Sequence, residues 1–196
     1  GMYQAILGVI TTLMLARMVF YLQIPELEKS FVKKESFRTS FLKVLNIPQY
    51  LPFCAYCFLL TLFTGACPQI FNLIEKDVLL WSKVEIVFFG NLLVAGALAG
   101  FFLGGRMIDR FGTKHVFLYC HFGFGIILIL FLWRNLFMEE VRIFIGILTF
   151  LFGLVQAASS IAMTSETLAL IPPKNKSLAT GLWFTLYSGG TGLSGI

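Results

Sequence analysis

The chain has 196 residues, of which 58% are apolar and only 13% are charged, and its mean hydropathy is +0.85. Soluble domains carry about 25% charged residues, so most helix faces of this chain must contact something other than water. The net charge is +5, yet no basic face interleaved with aromatic residues indicates a nucleic-acid partner. This composition excludes an ordinary soluble domain and indicates an integral membrane protein.

Six apolar runs follow one another along the chain, and each meets or nearly meets the length of about 20 residues that a helix needs to cross a bilayer. We therefore predict an all-α fold, a polytopic bundle of six transmembrane helices. The first run is too long for a signal peptide and lacks the basic start of one. The predicted helices are Met2–Ile24, Ile47–Ile74, Val84–Gly104, His115–Trp133, Val141–Ile171 and Ser177–Ile196.

Basic residues in the connections predict how these helices are oriented. Three connections, Pro25–Asn46, Gly105–Lys114 and Pro172–Lys176, together hold ten Lys and Arg residues, whereas the connections on the opposite side hold four. Because basic connections stay in the cytoplasm, the ten-charge side is predicted to be cytoplasmic, with both ends of the chain outside.

The connection Pro25–Asn46 is the longest and the most charged, which predicts a boundary between two units. Apolar residues recur there at near-helical spacing among basic residues, a pattern typical of an amphipathic helix on the membrane surface. A solvated linker is the equal alternative. The apolar residues are Phe31, Phe37, Phe41 and Leu45.

The connection Gly105–Lys114 places charges and glycines between two strongly apolar runs, which predicts a short turn between neighbouring helices. Its spacing, G-x-x-x-D-R-x-G-x-K, resembles the loop motif of the major facilitator superfamily of transporters. The match departs at Thr113, where the superfamily usually has Arg. A second stretch, from Glu166 to Gly181, resembles the superfamily pattern of an acidic residue, prolines, a basic residue and a helix start with small residues.

This resemblance implies a domain organisation. In the superfamily, two six-helix halves are joined by a long cytoplasmic connection, and the motif lies between the second and third helices of a half. The chain is therefore expected to cover the sixth to the eleventh helix of a twelve-helix transporter. Residues 1–24 would form the last helix of the first half, 25–46 the central loop, and 47–196 a major-facilitator-like second half that lacks its last helix.

The resemblance also implies a gate, a cluster that latches the two halves together while the transporter is open to the outside. Gly105 is expected to allow close helix approach, and Gly112 to permit a tight turn. Asp109 is suited to the positive end of a helix, and Arg110 to a carboxylate. An ordinary charged loop is the alternative. The gating residues implied are Gly105, Asp109, Arg110, Gly112, Lys114 and Glu166.

Glu166 lies within an apolar run, about 8 Å from the predicted cytoplasmic end of its helix. A carboxylate at this depth is costly unless it is paired or protonated. Arg110 or Arg106 is the expected partner, in keeping with the acidic–basic network of the superfamily at this level. The alternative is a glutamate that only reaches back to the membrane interface.

A solute site is expected near the membrane midplane, between the halves. Four polar residues lie at this depth on four predicted helices: Thr61, Asn91, Gln156 and Tyr187. The two primary amides are the strongest candidates, because an amide in hydrocarbon needs a partner. Hydrogen bonds between helices explain them equally well.

The function predicted is transmembrane transport of a small solute by a secondary carrier that works by alternating access. The alternative is an inactive fragment or a membrane subunit that binds or supports a partner without transport. The four cysteines lie in apolar runs and no catalytic, metal or nucleotide motif is present, so neither an enzyme nor a cofactor is expected. The expected partners are the bilayer, the solute and the first-half helices of the same transporter. The expected location is the cell membrane, a bacterial inner membrane or its equivalent.

Overall fold

The computed structural model describes residues 36–134, 140–172 and 176–194, together with Thr12. Its contacts divide the chain into two units, Gly1–Ser36 and Phe37–Ile196. The described residues form helices and no strand, which confirms the all-α class. The second unit contains α1 (Phe37–Leu45), α2 (Tyr50–Thr64), α3 (Cys67–Leu73), a π-helical turn (Ile74–Val78), α4 (Lys83–Phe111), α5 (Thr113–Leu132), α6 (Val141–Leu170) and α7 (Lys176–Leu193).

Four helical stretches are long and apolar enough to cross a membrane, and they confirm the second to fifth predicted spans. The predicted sixth run forms α7, which is not among these four. The first predicted run, Met2–Ile24, lies outside the described residues. The four stretches are Tyr50–Val78, Lys83–Phe111, Thr113–Leu132 and Val141–Leu170.

The outward faces of these helices carry large apolar side chains. Phe63, Phe102 and Leu132 are each more than 70% exposed. Soluble monomers rarely present continuous apolar surface of this kind to water. Lipid is the medium in which such faces are stable.

Helix α1 falls within the connection Pro25–Asn46, which was predicted to be either a surface helix or a linker. Phe37 and Phe41 stack one turn apart, with ring centroids 6.0 Å apart, and Val44 on the same helix is buried. Residues 37–45 are therefore helical as the amphipathic pattern predicts. The remaining apolar position of that pattern, Phe31, lies outside the described residues.

The second predicted run is one membrane-length stretch with a break in its helix. Pro68 lies in the first turn of α3 and has no backbone N–H to continue the hydrogen-bond ladder of α2. The helix therefore restarts at Cys67 and ends in the π-helical turn, where Leu79 N–H donates to the carbonyl oxygen of Ile74 at 3.0 Å.

Helices α4 and α6 form the closest pair in the bundle and run parallel. A Cβ atom on Gly96 would lie 2.0 Å from the carbonyl oxygen of Phe150, and one on Gly100 would lie 2.2 Å from that of Leu154. Gly104 continues the same glycine stripe one turn later. Because each glycine lets backbone meet backbone, the stripe sets the separation of the two helices.

Helices α2 and α7 form a second parallel pair. The Tyr50 hydroxyl donates to the carbonyl oxygen of Ala179 at 2.5 Å near the start of both helices. Further along, a Cβ atom on Gly190 would lie 2.2 Å from Oγ1 of Thr61. The two helices therefore run in the same direction and stay in contact from Tyr50 to Thr61.

Helix α5 runs antiparallel to α6 and brings aromatic side chains into the core. The rings of Phe124 and Phe152 lie 5.5 Å apart, and those of Phe71 and Phe131 stack at 4.2 Å. All four side chains are buried. They fill the space between α3, α5 and α6.

The helices reverse direction at two ends of the bundle. Gly112 and Ile171 lie at one end, called the motif end here, and residues 79–82 and 133–134 lie at the other, the far end. At the far end Ser82 caps α4 through a reciprocal capping box with Glu85. Arg142 of α6 donates to Glu85 at 2.9 Å, which joins α4 and α6 at that end.

Candidate functional site

Three of the four predicted solute-binding residues line one cavity of about 100 Å³. Thr61 lies inside the membrane-length stretch Tyr50–Val78, and Gln156 and Tyr187 lie away from the ends of α6 and α7. Phe124 of α5 also lines the cavity. At about 30 Å³ for each water molecule, the cavity has room for about three waters. Its other polar lining residues are Thr64, Ser159, Ser160 and Thr191.

Asn91, the fourth predicted residue, does not line this cavity. It is exposed on α4, the helix whose glycine stripe contacts α6. The structure therefore separates the two primary amides that the sequence ranked together, Asn91 and Gln156.

The Thr61 hydroxyl joins α2 to α7. It lies 2.9 Å from the carbonyl oxygen of Cys57, 3.0 Å from that of Phe58 and 3.2 Å from that of Tyr187. A hydroxyl has one proton to donate, so these three acceptors compete for it. Thr61 is thus within hydrogen-bond distance of carbonyl oxygens in its own helix and in α7.

Two polar groups on α6 face the cavity without a partner. Oγ of Ser159 is buried and has no hydrogen bond among the described residues. The half-buried amide of Gln156, one turn earlier, also makes no hydrogen bond within the described part of the chain. A buried polar group without a partner is costly, so this wall of the cavity is suited to a ligand that supplies hydrogen bonds.

At the motif end, the observed turn is much shorter than the predicted one. Helix α4 continues through Phe111, so Gly105–Phe111 is helical and the prediction of a charged loop there was wrong. Only Gly112 breaks the helix, with φ 82° and ψ 161°. Glycine alone adopts this conformation without strain, which agrees with the turn expected at this position.

Glu166 has a different partner from the one expected. The hydroxyl of Thr113 donates to Oε2 of Glu166 at 2.5 Å, and both residues are half-buried. Neither Arg106 nor Arg110 forms an ion pair with Glu166 in the described part of the chain, so that prediction was wrong there. The residue that departs from the superfamily motif, Thr113, is the one that satisfies this carboxylate.

Three further charges of the motif are on the surface of the described bundle. Asp109, Arg110 and Lys114 are exposed and form no ion pair among the described residues. The guanidinium of Arg110 lies 5.1 Å from the ring centre of the neighbouring Phe111. These charges are therefore available to a partner outside the described bundle.

Gly105 does not make the close helix contact expected of it. A Cβ atom there would meet no described atom within 4 Å, whereas one on Gly104 would lie 2.7 Å from Cα of Ala158. Among the described residues, the packing role belongs to Gly104, one position earlier.

A second cavity, of about 620 Å³, lies at the motif end between α2 and α5. Glu166 and Thr113 form part of its wall, and His121 lies 3.4 Å from the Tyr56 hydroxyl across it. Nδ1 of His121 is 2.7 Å from the carbonyl oxygen of Phe117, and since a carbonyl only accepts, Nδ1 carries the proton. The described residues contain no cluster of His, Cys, Asp and Glu able to hold a metal ion.

These features occur in a bundle of membrane-length helices. The chain reverses direction between two of them at Gly112, the second glycine of the motif G-x-x-x-D-R-x-G-x-K. A sequence model of the Major Facilitator Superfamily matches residues 2–195. The chain belongs to the Major Facilitator Superfamily. Neither a curated protein nor a solved structure matches it.

Membership of the Major Facilitator Superfamily confirms the resemblance identified from the motif at Gly105–Lys114. The chain is thus a multi-pass membrane protein of a transporter superfamily, in contact with the bilayer through its apolar helices. One packing feature of this superfamily member was missed in the sequence. The spacing of Gly96, Gly100 and Gly104 was a readable signal for close helix packing.

Proposed function

We propose that the transporter is a secondary carrier that moves a small solute by alternating access, and that this chain provides its sixth to eleventh helices. The observation that supports the proposal is the polar cavity lined by Thr61, Gln156 and Tyr187. It lies well inside the membrane-length stretches Tyr50–Val78 and Val141–Leu170 and beside α7, at the depth where carriers of this kind bind their solutes.

The chemistry of the cavity favours a solute rich in hydrogen-bonding groups. Gln156 offers an amide donor and acceptor, and Ser159 offers a hydroxyl without a partner. In hydrocarbon, each such group costs free energy until a partner satisfies it. A bound solute supplies that partner, and the Thr61 bond to α7 holds the two helices of the wall in place.

The motif end supplies the gate of the proposed carrier. Asp109, Arg110 and Lys114 are exposed beside the turn at Gly112, in position to pair with the first-half helices. The hydrogen bond from Thr113 to Glu166 fixes the start of α5 to the end of α6. In this proposal, the cytoplasmic end of the carrier closes when these charges pair with the first-half helices, and Gly105 lies next to the charges that pair.

We place the transporter in the cell membrane, with its motif end on the cytoplasmic side. This assignment rests on the ten basic residues in the connections on that side against four on the other. The parent transporter then presents the far end to the outside.

Transport by the full-length parent tests the proposed solute site. Gln156→Leu removes the amide from the cavity, and Asn91→Leu removes a matched amide from an exposed membrane-helix position outside it. Once a solute has been found by uptake screening in proteoliposomes, Gln156→Leu should lower kcat/KM by about tenfold or more, because one unmatched polar group costs about 1–3 kcal/mol. Asn91→Leu should retain most activity. Equal effects of the two substitutions would contradict the proposed site.

The chain of residues 1–196 on its own is expected to give no flux, because the first-half wall of the cavity is missing. Solute uptake by liposomes that contain only this chain would contradict the proposed division of the site between two halves. Absence of transport in the parent as well would favour the alternative, a membrane subunit that supports a partner.

A further inference from the structure

Three aromatic rings form a floor inside the bundle between the middle and the far end. Phe71 of α3 stacks on Phe131 of α5 at 4.2 Å and meets Phe152 of α6 edge to face at 5.1 Å. All three side chains are at most 3% exposed. The floor therefore separates the far end from the core below it.

One helical turn above this floor, each of the three elements carries a polar side chain. Glu75 follows Phe71 by four residues, Arg134 follows Phe131 by three, and Thr149 precedes Phe152 by three on the antiparallel α6. Side chains three or four residues apart lie on one helix face, so all three polar groups are directed to the same level.

Each of these groups has a polar atom without a partner. Glu75 is 1% exposed and Thr149 is 3% exposed. Oε2 of Glu75, Oγ1 of Thr149 and Nε of Arg134 are buried and make no hydrogen bond in the part of the chain that the structure describes. Three of the five buried polar atoms without a partner in the described residues belong to this level, and each such group calls for an explanation.

The backbone holds Glu75 in this position. It lies in the π-helical turn Ile74–Val78, and such turns are often found at functional sites. The N–H of Trp81 donates to the carbonyl oxygen of Glu75 at 3.0 Å, and the indole of Trp81 stacks on Phe89 at 4.5 Å. The turn therefore fixes the backbone at Glu75, whose side chain is buried.

No nearby charge compensates Glu75. It forms no ion pair in the described residues, and the nearest cation on the same level, Arg134, donates instead to the carbonyl oxygen of Phe131 at 3.2 Å. A buried carboxylate without a partner is stable only when it is neutral. Toward the far end, the other titratable or charged groups on the described elements around it are Cys67, Lys76, Asp77, Lys83, Glu85, Glu140 and Arg142. Lys76 is near Asp77, and Arg142 pairs with Glu85.

We propose that Glu75 is a proton-binding site through which the transporter couples solute movement to a proton gradient. In the buried state the carboxyl group carries the proton, and the unpartnered hydroxyl of Thr149 lies at the same level. When the far end opens, the proton leaves to water and the carboxylate pairs with Arg134. The coupling role rests on the proposed carrier function, whereas proton binding by Glu75 does not.

A proton fits this site better than a metal cation. Glu75 and Thr149 supply three side-chain oxygens at this level, two and one respectively, whereas hard cations take about six or more oxygen ligands. Arg134 would also repel a metal ion but stabilises the carboxylate once the proton has left.

Infrared difference spectroscopy on the purified chain in lipid nanodiscs tests proton binding directly. The carbonyl band of a protonated carboxyl group should be present at pH 7 in the wild type and in Glu85→Gln, a control at the same end of the bundle. Glu75→Gln should abolish it. Thr149→Val should shift its frequency, which tests the site in a variant that keeps Glu75.

Two outcomes would overturn the proposal. One is a protonated-carboxyl band that is unchanged in Glu75→Gln and in Thr149→Val. The other is a band that disappears on addition of sodium chloride at constant pH, which would assign the site to a metal cation.

In the full-length parent, Glu75→Gln should abolish solute-dependent proton uptake and retain solute exchange. Proton uptake that is unchanged in Glu75→Gln but lost in Gln156→Leu would overturn the coupling role alone, and the carrier function would stand.

Discussion

Gly100 is the position where one added methyl group should disturb the bundle most directly. A Cβ atom there would lie 2.2 Å from the carbonyl oxygen of Leu154 and 2.8 Å from its carbonyl carbon, whereas ordinary contacts begin at 3.4 Å. The obstructing atoms belong to backbone, so no change of rotamer relieves the clash. Gly100→Ala must therefore separate α4 from α6 by about 1 Å, and we expect the free energy of unfolding to fall by about 1–3 kcal/mol.

Gly105 is the matched control on the same helix. A Cβ atom there meets nothing within 4 Å among the described residues. Gly105→Ala should raise the free energy of unfolding by about 0.5–1 kcal/mol, because alanine loses less backbone entropy than glycine in a helix. Reversible unfolding of the chain in mixed micelles of detergent and dodecyl sulfate, followed by circular dichroism, compares the two. Equal stability of both variants would refute the argument that the glycine stripe sets the helix separation.

Three further tests examine other contacts by the same unfolding assay. Thr61→Val removes the hydroxyl that joins α2 to α7 and should cost about 0.5–1.5 kcal/mol, whereas Thr185→Val, which removes a bond within its own helix, should cost less; the reverse order would contradict the bridging role. Gly112→Ala should lower the free energy of unfolding by about 1–3 kcal/mol, because alanine is strained at a φ of 82°. No described atom lies within 4 Å of the added methyl group, so a clash does not contribute. Unchanged stability would disprove the strained turn. A double-mutant cycle with Thr113→Val and Glu166→Gln should give a coupling energy of about 1 kcal/mol, and additive effects would show that their hydrogen bond contributes nothing.

The membrane-length helices could be predicted from the sequence because bilayer thickness fixes how many apolar residues a span needs. The runs that became α5 and α6 agree with their predicted bounds to within a few residues. The span of α4 was predicted to end at Gly104, because the charges after it are typical of a loop. The helix continues to Phe111 because charged side chains at a membrane surface do not interrupt backbone hydrogen bonds, and only the positive φ of Gly112 does.

The contacts of the candidate site were harder to predict, because they depend on which helices become neighbours. The sequence identified Glu166 as a carboxylate in need of a partner, but pointed to Arg106 or Arg110. Those arginines lie on the last turns of α4, whereas the antiparallel start of α5 brings Thr113 to Glu166. Helix pairing, which hydropathy does not encode, decided the partner.

Glu75 was not singled out in the sequence because it lies one residue beyond the predicted run Ile47–Ile74. A charge at the end of an apolar run is ordinarily exposed to water. Here a π-helical turn extends the helix and turns the carboxyl group inward. A local change in helical geometry of this kind has no signal in the hydrophobic pattern.

Labelling of single cysteines with a membrane-impermeant maleimide tests most directly whether this bundle crosses the membrane with its motif end in the cytoplasm. Lys114→Cys and Ser82→Cys place exposed thiols at the motif end and the far end, and the native cysteines are all buried. In intact cells that make the full-length parent, Ser82→Cys should be labelled at once, and Lys114→Cys only after the membrane is permeabilised. Labelling of both from the outside, or of Lys114→Cys alone, would contradict the topology on which the carrier, its gate and its solute cavity depend.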